Sequence, residues 1–294
     1  MMKKIKRILK PMLVLLSFML LMQGCIQLKP EDDSETTDSG KIQPTIPDDP
    51  KHYYEDAVYV YQSDVDEDVL LTGLNEEYLL LANKTYILGA SFIPDSLSTL
   101  TCATYNNKDV ELETRTASAL YEMMNEMNAA GVSDIMVTSG YRSYAYQNSL
   151  NNYYMTQESS GFSTNAYIYF GADYIQKNYI DKGLSKLSDA DVEAVVRSYS
   201  AAPGTSEHQT GLCLDFITST MSGLDTTFAN TEAFEWLSEN AYKFGFILRY
   251  PEGKEDVTGY TYEPWHYRFV GREAATDIYF GNLTLEEYLG VAEG

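Results

Sequence analysis

Four side chains able to hold and work a divalent cation sit in two short, distant segments of this chain, and any fold it adopts has to bring them together. The first segment is Ser206-Glu207-His208-Gln209-Thr210-Gly211-Leu212-Cys213-Leu214-Asp215, and the second is Glu263-Pro264-Trp265-His266. The chain has only three histidines, two of them here, and the third, His52, falls near a linker. A catalytic zinc takes about three protein ligands, imidazoles and carboxylates, and keeps an open position for water. His208, Asp215 and His266 supply such a set. His208 and Asp215 lie too far apart for one helical face, but a bend at Gly211 would let a strand present both at one point. Glu263 precedes His266 by three positions, beside the metal without binding it, where its carboxylate can take a proton from water. Against this stand two plainer readings, satisfied core histidines and an Asp215 that merely caps a turn. A closed structural zinc would recruit thiolates, whereas Cys25, Cys102 and Cys213 form no Cys-x-x-Cys pair.

Around these segments the periodicity predicts a helix over 114–130, from Ala117, Leu120, Met124 and Met127, with Gly131 as its stop. Ile135 and Val137 predict a strand running into Ser139-Gly140, so that Arg142 sits where strand gives way to helix. Its fork suits a carboxylate or an oxyanion, and a surface salt bridge is the plain alternative. Gln147 follows one turn along that helix, on a shared face. A Ser-x-x-Asp pattern opens a helix from about Ser188 to Ser200, which Pro203-Gly204 then ends. Phe234, Leu237, Ala241 and Phe244 mark another apolar stripe ending at Gly245, with a strand over 246–250 and a further strand-like run over 265–270. Thr284-Leu285-Glu286-Glu287 predicts a capping box on a short last helix. Helices followed by short strands without βαβ alternation give an α+β fold: a small antiparallel sheet carrying the zinc site, packed against helices.

The ends bound the setting. Lys3, Lys4, Lys6, Arg7 and Lys10 precede an apolar run from Met12 to Met22 and then Gly24-Cys25. That reads as a lipoprotein signal peptide over 1–25, with Cys25 becoming an acylated N-terminus, or else as an uncleaved anchor. Residues 26–51, rich in proline, acids and Ser/Thr, have the composition of a disordered tether that cannot bury a core. Residues 52–294 suffice for one domain. With 43 acidic against 21 basic residues and a formal charge of -22, nucleic-acid binding is excluded for want of a basic surface. Export permits a Cys102–Cys213 disulfide, the less favoured outcome for a thiol beside a metal-binding strand. Cys213 shares the Gly211 and Asp215 face, so its thiol is either near the metal or, the favoured role, a small apolar filler.

The motifs resemble those of VanY-type D-alanyl-D-alanine carboxypeptidases, zinc peptidases of the LAS group. Leu80-Leu-Ala-Asn-Lys-Thr-Tyr86 with Phe92-Ile-Pro94-Asp, Ser139-Gly-Tyr-Arg142-Ser-Tyr-Ala-Tyr-Gln147, Ser206 to Asp215, and Glu263-Pro-Trp-His266 carry the likeness over about 79–288. Two departures stand out: Cys213 replaces the usual alanine, and the tyrosine-rich stretch 157–186 is longer than its counterpart. That stretch is either a wall of the cleft or a packed surface excursion. The resemblance implies an LAS/hedgehog-like fold with zinc on His208, Asp215 and His266 and Glu263 as general base. It also implies that Arg142 steadies substrate and oxyanion, with Ser206 and Gln147 holding the peptide. The implied activity is removal of a terminal D-alanine from peptidoglycan stem peptides, by a monomer anchored through Cys25 outside the membrane and facing the cell wall. Rival readings are an L,D-carboxypeptidase or endopeptidase, a non-catalytic zinc-containing wall-binding module, and a serine peptidase using Ser206.

Overall fold

The computed structural model describes residues 43–45 and 57–292. The signal-peptide reading of 1–25, Cys25, His52 and most of the tether lie outside the described residues. Within the stretch expected to be a free tether, Gln43 is instead held: its Nε2 donates to Leu81 O and its Oε1 accepts from Leu81 N, both at 2.9 Å. One side-chain amide thereby satisfies both backbone groups of a buried residue, which a detached chain would leave to water.

In chain order, β1 (Leu97–Thr99) pairs antiparallel with β2 (Glu111–Glu113), and β2 runs directly into α1 (Thr114–Ala129). Glu113 starts that helix by accepting from the N–H groups of Arg115 and Thr116, donors that the first helical turn leaves unpaired. Leu120, Met123, Met124 and Met127 line its buried face, and Gly131, at φ +87°, ends it as the sequence predicts. Then come β3 (Met136–Ser139) and α2 (Tyr144–Glu158), capped by Ser143. The tyrosine-rich stretch folds as α3 (Thr164–Phe170) and α4 (Ala172–Asn178), followed by α5 (Asp189–Arg197). It has a small core of its own: Ala166, Ile175, Tyr179, Leu187, Val192, Val195 and Val196. Tyr167, Tyr169 and Tyr174 remain exposed.

Next are β4 (Cys213–Ile217), α6 (Glu232–Asn240), β5 (Phe246–Leu248), α7 (Glu255–Thr258), β6 (His266–Phe269), α8 (Arg272–Gly281) and α9 (Leu285–Tyr288). Both arms of the Thr284–Glu287 capping box are present at α9. The apolar stripe from Phe234 to Phe244 breaks at Asn240 into α6 and a 3-10 turn, and β5 stops at Leu248 rather than Tyr250.

Four strands form one antiparallel sheet in the order β3-β4-β6-β5. Because side chains alternate along a strand, Leu214, Phe216, Tyr267, Phe269 and Phe246 go into one core with Leu120, Met123 and Met127 of α1. A second apolar cluster packs Ile247 against Ala275 and Ile278 of α8 and Leu285 of α9. Cys213, Asp215, His266 and Arg268 belong to neither cluster. The register sets Asp215 opposite His266 and Cys213 opposite Arg268. An α+β architecture with a small antiparallel sheet against helices is what the sequence predicts.

Candidate active site

The site is assembled where the β3–α2 turn meets a 3-10 turn at Glu207–Thr210. Gly140 has to be glycine there: an added Cβ would lie 2.4 Å from Glu111 O and 2.8 Å from Val110 Cγ1. With the backbone that close, Tyr141 N donates to Glu111 O at 2.7 Å and Arg142 N donates to His208 O at 3.0 Å. In return, Nδ1 of His208 lies 2.7 Å from Gly140 O. A carbonyl only accepts, so Nδ1 carries the proton and Nε2 is left as a lone pair. Gly211, at φ +68°, then swings the chain from this turn into β4, as the motif spacing predicts.

Asp215 is reached from both sides. Its Oδ2 lies 3.3 Å from His208 Nε2 and its Oδ1 lies 3.0 Å from His266 Nδ1. The other nitrogen of His266, Nε2, is 3.1 Å from Glu207 Oε2. Both carboxylates only accept, so either nitrogen of His266 can carry the proton; with a cation at Asp215, Glu207 Oε2 would keep the Nε2 proton and Nδ1 would present its lone pair. Two imidazole nitrogens and a carboxylate thus converge, an arrangement that repels unless positive charge sits among them. The proton equilibria say the same. Burial opposes the charged form at His208, His266 and Asp215. Yet Cys213 and Asp215 draw both histidines above their ordinary range, and the histidines hold Asp215 well below its own. The donor set fits a divalent cation, which His208 Nε2, Asp215 and His266 Nδ1 are placed to hold.

Glu263 Oε2 lies 3.7 Å from His266 Nδ1, so the structure brings the fourth expected side chain alongside the other three. Burial pushes the Glu263 carboxyl up to about 7, Asp215 adds to this, and His266, His208 and Arg142 pull it back. Arg142 is half-buried at the mouth of α2, and its Nε has no partner among the described residues. Buried Ser206 Oγ is likewise unpaired. Gln147 is buried rather than open to a cleft: its Nε2 donates to Ala201 O at 2.7 Å, tying α2 to the segment before the motif, and Oε1 alone is unpaired. A cavity of about 380 Å³ is lined by Lys84, Tyr169, Arg197, Glu255 and Tyr260. Its Tyr260 ring packs 4.8 Å from that of Tyr250, which lies 4.9 Å from the His266 ring. One tyrosine of the long stretch, Tyr169, lines this cavity.

Two features escape the sequence analysis. Glu207 is one: its Oε1 accepts from Arg249 Nε at 2.7 Å and Arg268 Nη1 at 2.6 Å, and Arg249 also pairs with Glu286 at 2.6 and 2.9 Å. Burial works against the Glu207 charge, but the two guanidiniums outweigh it and hold the carboxyl far below its usual range. The signal was available, because an arginine at a core position of each of two apolar strands, Phe-Ile-Leu-Arg249 and His-Tyr-Arg268-Phe, implies a buried carboxylate partner. Cys213 is the other. Its neighbours are imidazoles rather than apolar side chains alone: its sulfur and one nitrogen each of His208 and His266 all lie within 4.8 Å of one another, a group able to hold a metal. Neither Cys213 nor Cys102 is in a disulfide.

Comparison with known proteins places the chain among cell-wall carboxypeptidase relatives. The VanY family, described as D-alanyl-D-alanine carboxypeptidase, matches residues 109–272. A D-alanyl-D-alanine carboxypeptidase of Enterococcus faecalis is 38% identical over 190 residues, which are 62% of this chain and 60% of that protein. The chain therefore spans less than two thirds of the length of that relative. The structure of the LdcB LD-carboxypeptidase superposes with a TM-score of 0.59 at 29% identity, over 78% of this chain and 98% of that one. A mutant of the vancomycin-resistance D,D-pentapeptidase VanY from a VanB-type cassette, in complex with Zn(II), gives a TM-score of 0.53 at 33% identity. That match covers 72% of this chain and 99% of the other.

Proposed function

This chain belongs to the VanY D-alanyl-D-alanine carboxypeptidase family, and from that premise we propose that it is a zinc-dependent carboxypeptidase that removes a terminal D-alanine from peptidoglycan stem peptides. The observation that carries the reading is Asp215, set 3.3 Å from His208 Nε2 and 3.0 Å from His266 Nδ1 with Glu263 alongside.

In this reading His208, Asp215 and His266 hold the zinc. When bound, zinc polarises the scissile carbonyl and lowers the pKa of a water from ~15.7 to ~7. Glu263 takes the proton of the attacking water and passes it to the leaving amine. A carboxyl held near neutrality by burial suits both transfers. Arg142 meets the negative charge that grows on the carbonyl oxygen with a guanidinium that never has to ionise first. Ser206, beside His208 with its Oγ unpaired, helps hold the peptide, and Gln147 acts behind it by tying α2 to Ala201 O.

The bond cut is D,D in a pentapeptide under this reading. An L,D cut in a tetrapeptide is the second, favoured by the likeness to the LdcB LD-carboxypeptidase; endopeptidase action is a third. We further propose that residues 1–25 direct export, that Cys25 carries lipid, and that a monomer works outside the membrane on the cell wall. The basic, apolar and Gly-Cys run of the first 25 residues supports this. Incubating the purified protein with tetra- and pentapeptides, with and without a chelator, and weighing the products tests the proposal. Release of free D-alanine that the chelator abolishes is the expected result. No release from either peptide by metal-replete protein would leave the non-catalytic wall-binding module as the better reading.

A further inference from the structure

We infer that Cys213 is a fourth donor to the metal in this chain, its sulfur joining His208, Asp215 and His266. The inference rests on the metal reading above and adds a ligand to it.

The placement follows from strand geometry. Cys213 stands two residues before Asp215 on β4, and side chains at that spacing share a face. Leu214 and Phe216, between and beyond them, belong to the core against α1, and Cys213 does not, although it is completely buried. Its side chain is therefore spent on the polar face of the sheet, the side to which β6 brings His266. Two imidazoles, each fixed at its other nitrogen, turn toward the same region. One is His208, oriented by Gly140 O at 2.7 Å, and the other is His266, oriented by Glu207 Oε2 at 3.1 Å.

The span is right for one ion. The sulfur and the two nitrogens all lie within 4.8 Å of one another. A metal–sulfur bond of ~2.3 Å and a metal–nitrogen bond of ~2.1 Å placed end to end reach about 4.4 Å, so side-chain rotations that draw the donors together would close all three on a single cation. Cys213 is in no disulfide that would hold its sulfur elsewhere. A sulfur softens the donor set, which favours zinc over harder cations such as magnesium or manganese. It also takes up the position that a three-ligand catalytic zinc leaves to solvent, so solvent and substrate have to share or displace it.

The test is spectroscopic. The full chain is stripped of metal and reloaded with cobalt(II), beside Cys213→Ala and Cys102→Ser. The parent and Cys102→Ser should show a near-ultraviolet sulfur-to-cobalt charge-transfer band that Cys213→Ala loses completely, while visible d–d bands persist in all three. The same near-ultraviolet band in Cys213→Ala, or its absence from the parent, overturns the inference and leaves the metal site standing. Absence of d–d bands from the parent overturns the metal reading, and the sulfur with it. Zinc-edge X-ray absorption of the unmutated protein decides the matter without any variant: a sulfur shell at ~2.3 Å is expected, and a shell of nitrogen and oxygen alone overturns the inference.

Discussion

Glu207 Oε2 lies 3.1 Å from His266 Nε2 and so decides which edge of that imidazole faces Asp215. The same carboxylate neutralises Arg249 and Arg268, both wholly buried in the sheet. One side chain therefore serves the donor set and the core beneath it.

Glu207→Gln should weaken metal affinity by roughly 10–100-fold, the usual cost of losing an outer-shell partner, as read by competition with a chelator. It should also cost about 3–5 kcal/mol in urea unfolding, because buried Arg268 loses its charge partner and Arg249 keeps only Glu286. The pH sign follows from the depressed carboxyl. Its stabilisation is complete above the unfolded value of ~4.3 and disappears as pH falls toward the folded value, so Glu207→Gln should flatten the acid limb of the parent's stability curve.

Glu263→Gln should keep its metal and lose turnover by about 10²–10⁴-fold, the range for a positioned general base. Parent-rate cleavage by this variant would remove Glu263 from the mechanism. His208→Ala and His266→Ala should instead lose both metal and turnover, so metal content separates the two classes.

The pH–rate profile should have an acid limb set by Glu263, with activity rising as its carboxylate forms. Burial raises that carboxyl to about 7 without a metal, and a cation within a few ångströms favours the ionised form. The limb of kcat/KM in the zinc enzyme should therefore fall below pH 7, and Glu263→Gln should abolish it.

Arg142→Ala should lower kcat about 10²–10³-fold, as the loss of one oxyanion donor does elsewhere, while zinc content stays at one per chain. Loss of zinc in step with activity would show that the guanidinium organises the site instead.

Gly140→Ala should destabilise the fold by about 1–3 kcal/mol through overpacking, since its Cβ meets a backbone oxygen at 2.4 Å. Any shift that relieves the clash moves the carbonyl that holds His208 Nδ1. Metal affinity should accordingly drop along with the melting temperature.

Much of this was legible because the signals are local. The Ser139–Arg142 turn, the bend at Gly211, the α1 stripe and the Thr284 cap each depend on a few neighbouring residues, and all appear where the sequence puts them. Glu207 was missed because its meaning depends on Arg249 and Arg268, which only strand pairing brings to it. Cys213 was ambiguous for a related reason. Its face was evident from alternation, but whether that face holds apolar packing or imidazoles is settled by β6 and by the turn that aims His208. Gln43 was assigned to a tether on composition, which carries no information about a single amide docking on Leu81.

The pairing of Asp215 with His266 across β4 and β6 has an implication for evolution and engineering. A slip of a single position between those strands would send Asp215 or His266 to the oily side facing α1 and scatter the ion's cage. Repacking Phe216 or Phe269, neither of which touches the ion, is thus a way to misalign the chemistry from behind, and tolerance to substitution there should track metal retention as closely as it tracks melting.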